Sequence, residues 1–328
     1  MRIARYSHHG NPADVIEIVE VPDPEPGPNE AVVKVEAAPV HLADLYCMRG
    51  IENFRMPLPA TPGFEGVGVI TALGCEVRSL SIGERVMLPM GTQTWVEKLT
   101  APATAFAPAP EGKLEELALL PINPPTSYLI LEDYGDLKPG DWVIQNAANS
   151  NCGLYLIQLA KLKGIKTVNV VRRESLIPEL KAIGGDVVLL DGDDLDARVK
   201  KATGDAAIRL AVDAVNGAAT TRLARCLADG GTVLVYGMLT GEPCQLPADM
   251  VFLRDIRLEG FYTLRCFENR NAAQIKAIYE YLGGLISDGT LTARIAATYT
   301  LDQVAEAVTH AGRKGAEREG KIILLPNG

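Results

Sequence analysis

The sequence predicts an α/β protein built on a doubly wound parallel sheet, with a second, β-rich domain. Six short apolar runs, at 141–145, 167–171, 187–190, 209–213, 232–236 and 256–261, alternate with helical stretches. That alternation is the pattern of parallel strands covered by helices on both faces. Residues 1–120 instead carry short strands separated by proline and glycine turns, which suggests a small, strongly curved barrel. An amphipathic helix at 272–286 and a final apolar run at 321–325 close the chain.

In the β-rich part, 15–20 is rich in β-branched residues and reads as a strand. Pro22, Pro24, Pro26 and Pro28 interrupt it, and 30–40 is a half-buried strand by its period of two. A short helix is expected from Leu42 to Met48, stopped at Gly50. The run 63–70 reads as a glycine-punctuated strand, followed by turns at Gly74 and Gly83.

At 328 residues the chain is long enough for two domains, each with its own core. A net charge of −9 without any basic run argues against nucleic acid and anionic membrane surfaces as partners. No apolar run is long enough to span a bilayer. The six cysteines are scattered without a C-x-x-C pair, so free thiols and a cytoplasmic protein are expected, and the first residues do not read as a targeting segment. With four histidines and no clustered ligands, no metal site is expected.

The stretch 139–174 carries the clearest chemistry. A Pro-Gly turn leads into the strand 141–145, small and polar residues follow, and a helix with an apolar face ends at Gly164. The next strand, 167–171, completes a βαβ unit. Its first turn faces a helix N-terminus, where free N–H groups and the helix dipole favour an anion. The glycine fingerprint is degenerate: Asn149, Ser150, Asn151 and Cys152 precede Gly153, the one remaining glycine, which would permit close packing of helix on strand. Such a turn could also belong to a sheet that binds nothing there. The end of the second strand favours a ligand. Arg172 and Arg173 stand where an NAD site would carry an acid, and paired guanidinium groups suit the 2′-phosphate of NADPH. Glu174 could pair with either arginine or touch a ribose.

The segments PGFEGVGVI, SIGERVMLP, LKPGDWVIQNA and LKAIGGDVVL resemble the medium-chain dehydrogenase/reductase superfamily over essentially the full length. Within it, IQNAANSNCGLYLIQLAKLKGIKTVNVVR, PINPPTSYLIL, GGTVLVYGM and LEGFY are similar to the 2-enoyl thioester reductase branch. The resemblance implies a GroES-like catalytic domain at 1–122 and 266–328 around a Rossmann NADP-binding domain at 123–265. It also implies cofactor contacts from Asn123, Asn149 to Gly153, Arg172 to Glu174, Tyr236, Gly237, Met238, Leu239, Phe261, Tyr262, Thr263 and Lys321. Zinc alcohol dehydrogenases carry a cysteine at the place of His41 and a histidine at the place of Phe64. The resemblance is therefore to the zinc-free branches, which reduce activated C=C bonds or quinones.

One departure bears on catalysis. The branch uses a tyrosine in a G-N-Y segment, whereas this chain has Gly50-Ile51-Glu52. Tyr46, in Asp44-Leu45-Tyr46, resembles the tyrosine of quinone oxidoreductases and is the candidate donor to a substrate carbonyl; it could equally be a packing residue. Glu52 could relay a proton or be a solvated loop carboxylate. His41 could bond on the cofactor side or be a neutral core histidine. The expected activity is NADPH-dependent reduction of an enoyl thioester, alkenal or other α,β-unsaturated carbonyl. Quinone reduction, or NADPH binding without catalysis, are the alternatives. The strand 255–261 would leave a sheet edge open, and related reductases pair it across a two-fold axis, so a homodimer is expected.

Overall fold

Backbone pairing sorts most strands into two sheets. In the computed structural model, which describes residues 1–328, the chain divides into two compact units. The first is Met1–Ile122 with Lys276–Gly328; the second is Asn123–Ile275. The expected return to the first unit at residue 266 comes earlier than this boundary. The helix Thr263–Glu268 stays with the second unit because Thr263 shares a 2.7 Å hydroxyl bond with Thr126. Just beyond it, Arg270 forks onto Asp133 at 2.6 and 2.8 Å.

The second unit holds a six-stranded parallel sheet. Its spatial order is Val187–Leu190, Lys166–Val171, Trp142–Gln145, Leu210–Asp213, Thr232–Val235, Arg257–Gly260. The chain starts in the middle, winds outward to Val187–Leu190, then crosses back and winds the other way. Strand direction of travel reverses between Trp142–Gln145 and Leu210–Asp213, and ligands of such sheets bind outside the carboxyl ends at that point. The sheet forms because the central strands are buried on both faces: Val143, Ile144, Val168, Ala211, Val212 and Val233 are all fully covered.

The first unit contains a seven-stranded path, with Ile295–Thr300, Lys321–Leu325, Glu30–Val40, Val67–Leu73, Arg85–Met87 and Ala107–Pro108 as successive neighbours and Lys98–Pro102 also on Glu30–Val40. The 11-residue strand Glu30–Val40 is the axis of this unit: Lys321–Leu325 pairs at its carboxyl end, Val67–Leu73 along its length. Its inward side chains Val33, Val35 and Ala38 join a core with Trp95, Leu45 and Met48.

Two expectations shift. The strand expected at 15–20 begins at Ile16, because Pro12–Val15 forms a helical turn with proline at its start. The strand expected from residue 63 begins at Val67 instead. Gly63 has φ +107°, outside strand geometry, and a Cβ there would meet the Thr94 backbone nitrogen at 2.6 Å.

Candidate functional site

In the second unit, the turn after Trp142–Gln145 is shaped by the residues that the sequence singled out. The helix Asn151–Leu162 is capped by Ser150, whose Oγ accepts the Gly153 N–H at 3.1 Å. The Ser150 side chain therefore fixes the turn, and the Tyr236 hydroxyl hydrogen-bonds it as well. Burial holds the Tyr236 phenol above its ordinary pKa, so it stays protonated. Gly153 allows the close approach: a Cβ there would lie 2.5 Å from the Ala148 carbonyl oxygen. Ala147 turns the chain with φ +48°. The first backbone N–H groups of a 12-residue helix thus face the carboxyl end of the sheet.

Across the reversal point, Asp213 ties the neighbouring loop down. Its carboxylate accepts from Asn146 Nδ2 and Thr220 Oγ1, each at 2.6 Å, and from the backbone N–H groups of Val215 and Asn216 at 2.8 and 3.0 Å. Such a satisfied carboxylate stabilises a rigid loop rather than serving as a base. Sequence reasoning passed over Asp213; its only signal is an acid ending a run of buried apolar residues.

Arg172 and Glu174 are exposed and Arg173 half-buried, directly beyond the strand Lys166–Val171. Asn149 and Cys152 are half-buried in the capped turn, while Asn151 is buried in the first turn of its helix. Gly237 and Met238 are half-buried beside Tyr236, and Leu239 is exposed. Asn123 is buried at the start of the helix Asn123–Asp133, its carbonyl accepting from Ser127 Oγ at 3.3 Å. The cluster Phe261, Tyr262, Thr263 is not a uniform ligand surface. Phe261 is buried edge-on against Tyr134, Thr263 spends its hydroxyl on Thr126, and Tyr262 faces solvent.

The first unit brings together residues far apart in sequence. His41 directly follows Glu30–Val40, Lys321 opens its neighbour, and pairing of Ile322 with Val40 sets the two side by side. Lys321 Nζ lies 2.9 Å from His41 Nδ1, and His41 Nε2 lies 2.6 Å from Glu65 Oε1. Glu65 precedes Val67–Leu73 on the other flank and is completely buried. Asp44, also completely buried, accepts the His41 and Gly63 N–H groups at 2.7 and 2.8 Å. Burial lowers the His41 pKa well below the ordinary value, with the Lys321 charge acting in the same direction. Burial raises Glu65 well above its ordinary value, against the pull of Lys321, and pushes Asp44 up to about 7. His41 is therefore neutral.

Tyr46 lies on the helix Leu42–Arg49, half-buried, with its ring edge-on to Phe54 at a centroid distance of 5.4 Å. Desolvation raises its pKa, opposed by the charges of Arg49 and Arg318. Glu52 is exposed on the turn Glu52–Phe54. Phe64 packs against the core, and no group of three or more His, Cys, Asp or Glu side chains is arranged to hold a metal ion.

Comparison with known proteins fits this architecture. The family profile described as alcohol dehydrogenase GroES-like domain matches residues 27–121, and that described as zinc-binding dehydrogenase matches 152–278. The mitochondrial enoyl-[acyl-carrier-protein] reductase of Caenorhabditis elegans is 33% identical over 327 residues, covering 97% of this chain and 94% of the relative. The Rattus norvegicus enzyme of the same name is 34% identical over 300 residues, covering 89% and 80%. The chain belongs to this enoyl reductase family, within the medium-chain dehydrogenase/reductase superfamily. Among solved structures, a protein assigned as an NADPH:quinone reductase from Bacillus thuringiensis superposes with a TM-score of 0.91 at 25% identity, covering 99% of this chain and 98% of that one. The Etr1p/NADP/crotonyl-CoA complex superposes at 0.86 with 24% identity and 99% coverage of both chains, a likeness of fold.

Membership in the enoyl reductase family corrects one expectation. The relatives are mitochondrial enzymes, which overturns the cytoplasmic placement argued from scattered cysteines. Free thiols persist in any reducing surroundings, so they do not single out the cytosol. No helix is long and apolar enough to cross a membrane.

Proposed function

We propose that the protein is an NADPH-dependent oxidoreductase that reduces the C=C bond of a 2-enoyl thioester or a related α,β-unsaturated carbonyl. The observation that carries this reading is the 33% identity to an enoyl-[acyl-carrier-protein] reductase over 97% of the chain. The residues fit the cofactor. The capped helix N-terminus suits a pyrophosphate, and Arg172 and Arg173 suit a 2′-phosphate. Bound NADPH would supply a hydride to the β-carbon of the substrate.

What the chain contributes is charge stabilisation. As negative charge gathers on the substrate carbonyl oxygen, Tyr46 donates its phenolic hydrogen bond to it. The raised pKa keeps that phenol protonated and able to donate. His41 is neutral and hydrogen-bonded on both ring nitrogens, so it is not the proton source. Glu52, solvated on its turn, is left without a catalytic part. Solvent supplies the proton that completes the α-carbon.

A second reading, NADPH:quinone reduction, is favoured by Tyr46 in its Asp-Leu-Tyr setting and by the 0.91 TM-score to the Bacillus thuringiensis structure. NADPH oxidation assayed with crotonyl-CoA, alkenals and quinones separates the two. Faster turnover of the thioester supports the first reading; turnover of quinones alone supports the second.

We also propose a homodimer. All four residues of the edge strand Arg257–Gly260 are exposed, leaving backbone groups unpaired. Beside it, the helix Ala248–Arg254 exposes Phe252 by 73% and Leu253 by 71%. A second copy paired across a two-fold axis would cover both features.

A further inference from the structure

An acidic run stands beside the arginine pair. Asp191-Gly192-Asp193-Asp194 directly follows the strand Val187–Leu190, at the carboxyl end of the parallel sheet. That strand pairs with Lys166–Val171, Leu190 opposite Val171, and the Asp191 N–H donates to the Val171 carbonyl at 2.8 Å. The residue after Val171 is Arg172, the first of the pair. Unpaired carboxylates at such a place oppose a phosphate, because like charges closer than a Debye length repel.

Two helices neutralise this run. Arg222, on the helix Ala218–Arg225, forks onto Asp191, with Nε to Oδ1 at 2.7 Å and Nη2 to Oδ2 at 2.5 Å. The two side chains are only 20% and 22% exposed, so salt screens the pair less than a surface one. Asp191 Oδ1 also accepts the Gly192 N–H at 3.0 Å. The Arg222 guanidinium faces Asp193 and Asp213 electrostatically as well. Asp213 is already tied to Asn146 and Thr220, so the two-pronged grip falls on Asp191. Arg198, on the helix Leu195–Thr203, donates to Asp194 Oδ1 and to the Leu190 carbonyl, each at 2.8 Å.

We infer that Arg222 sets the preference for the phosphorylated dinucleotide: by gripping Asp191 it keeps that charge off the 2′-phosphate that Arg172 and Arg173 would hold. All four residues belong to the parallel-sheet unit, and the inference rests on the NADPH reading proposed above. Arg222 acts through Asp191, so it is a positioning residue. A merely structural role would weaken NADPH and NADH alike, whereas a charge effect separates them, because the two differ in the 2′-phosphate.

The test is the ratio of NADPH to NADH affinity of the full chain, by titration calorimetry, with melting temperature as the fold control. The charge left on the pair gives the expected order. Arg222→Met leaves Asp191 unpaired and should weaken NADPH about five- to tenfold with NADH within about twofold, the effect of one partly screened negative charge. That defect should shrink at roughly 0.5 M salt. Asp191→Asn leaves the Arg222 cation in place and should not lower the ratio. The double variant is neutral again and should return to within about threefold of the unaltered ratio. Should Arg222→Met not fold, Asp191→Asn should favour NADPH over NADH more than the double variant does, and equal ratios in those two overturn the inference. So does an Arg222→Met protein that loses both cofactors alike, or a double variant no more selective than Arg222→Met. If the unaltered chain binds NADPH and NADH equally, or binds neither, the cofactor reading itself falls. A clear NADPH preference that Arg222→Met leaves intact removes this inference alone.

Discussion

Tyr46 and the paired arginines carry the residue-scale claims. Tyr46→Phe removes one donor to the developing oxyanion while leaving the ring against Phe54 in place. It should lower kcat by about ten- to a thousand-fold with NADPH affinity intact. Glu52→Gln should change little, which steady-state kinetics on the two variants would check. The sign of the pH effect follows from desolvation. Tyr46 is protonated below its pKa, that pKa is raised above 10.0, and the donor is lost only as pH rises through it. Turnover should therefore show no alkaline decline from Tyr46 below about pH 10. Arg172→Ala with Arg173→Ala should weaken NADPH by roughly 2–4 kcal/mol and leave NADH nearly unchanged, measured by parallel titrations. These side chains stood out in the sequence because their types are rare at such positions. Glu65 and Asp44 did not, since nothing local tells a buried carboxylate from a surface one.

Elements were legible to different degrees, for physical reasons. Strands buried on both faces, such as Lys166–Val171 and Leu210–Asp213, appear as apolar runs whose ends shift by a residue. The capped turn before Asn151–Leu162 was readable from its small residues and Gly153, although the use of Ser150 as a cap was not. Glycine-rich 63–66 mimicked a strand because composition does not reveal a positive φ. The contact between His41 and Lys321 depends on sheet register between residues 280 positions apart, which no local pattern carries. One substitution tests the turn. Gly153→Ala places a Cβ 2.5 Å from the Ala148 carbonyl, so the start of the helix and the turn at Ala148 must separate. It should cost about 1–3 kcal/mol of stability in denaturant unfolding and weaken NADPH as well. Unchanged binding and stability would contradict the role given to this close approach.

At the scale of the whole molecule, two compact units divide the work proposed here. In the proposed reading, the parallel-sheet unit holds the helix terminus and arginines offered to the cofactor, and the other unit holds Tyr46. Assembly has its own check. Light scattering should give about twice the 35.2 kDa chain mass at micromolar concentration. Phe252→Asp with Leu253→Asp should convert it to a monomer, by placing charges on the apolar face beside the open edge. Substrate choice was the least legible property, because one sequence of a reductase does not display the shape of the space around the carbonyl. The most direct measurement is the consumption of NADPH by the purified protein with crotonyl-CoA. The account predicts stoichiometric loss of NADPH and formation of the saturated thioester, with Tyr46→Phe strongly impaired and NADH a poor substitute. Reduction of quinones with no turnover of any enoyl thioester, or no NADPH oxidation with either, would contradict it.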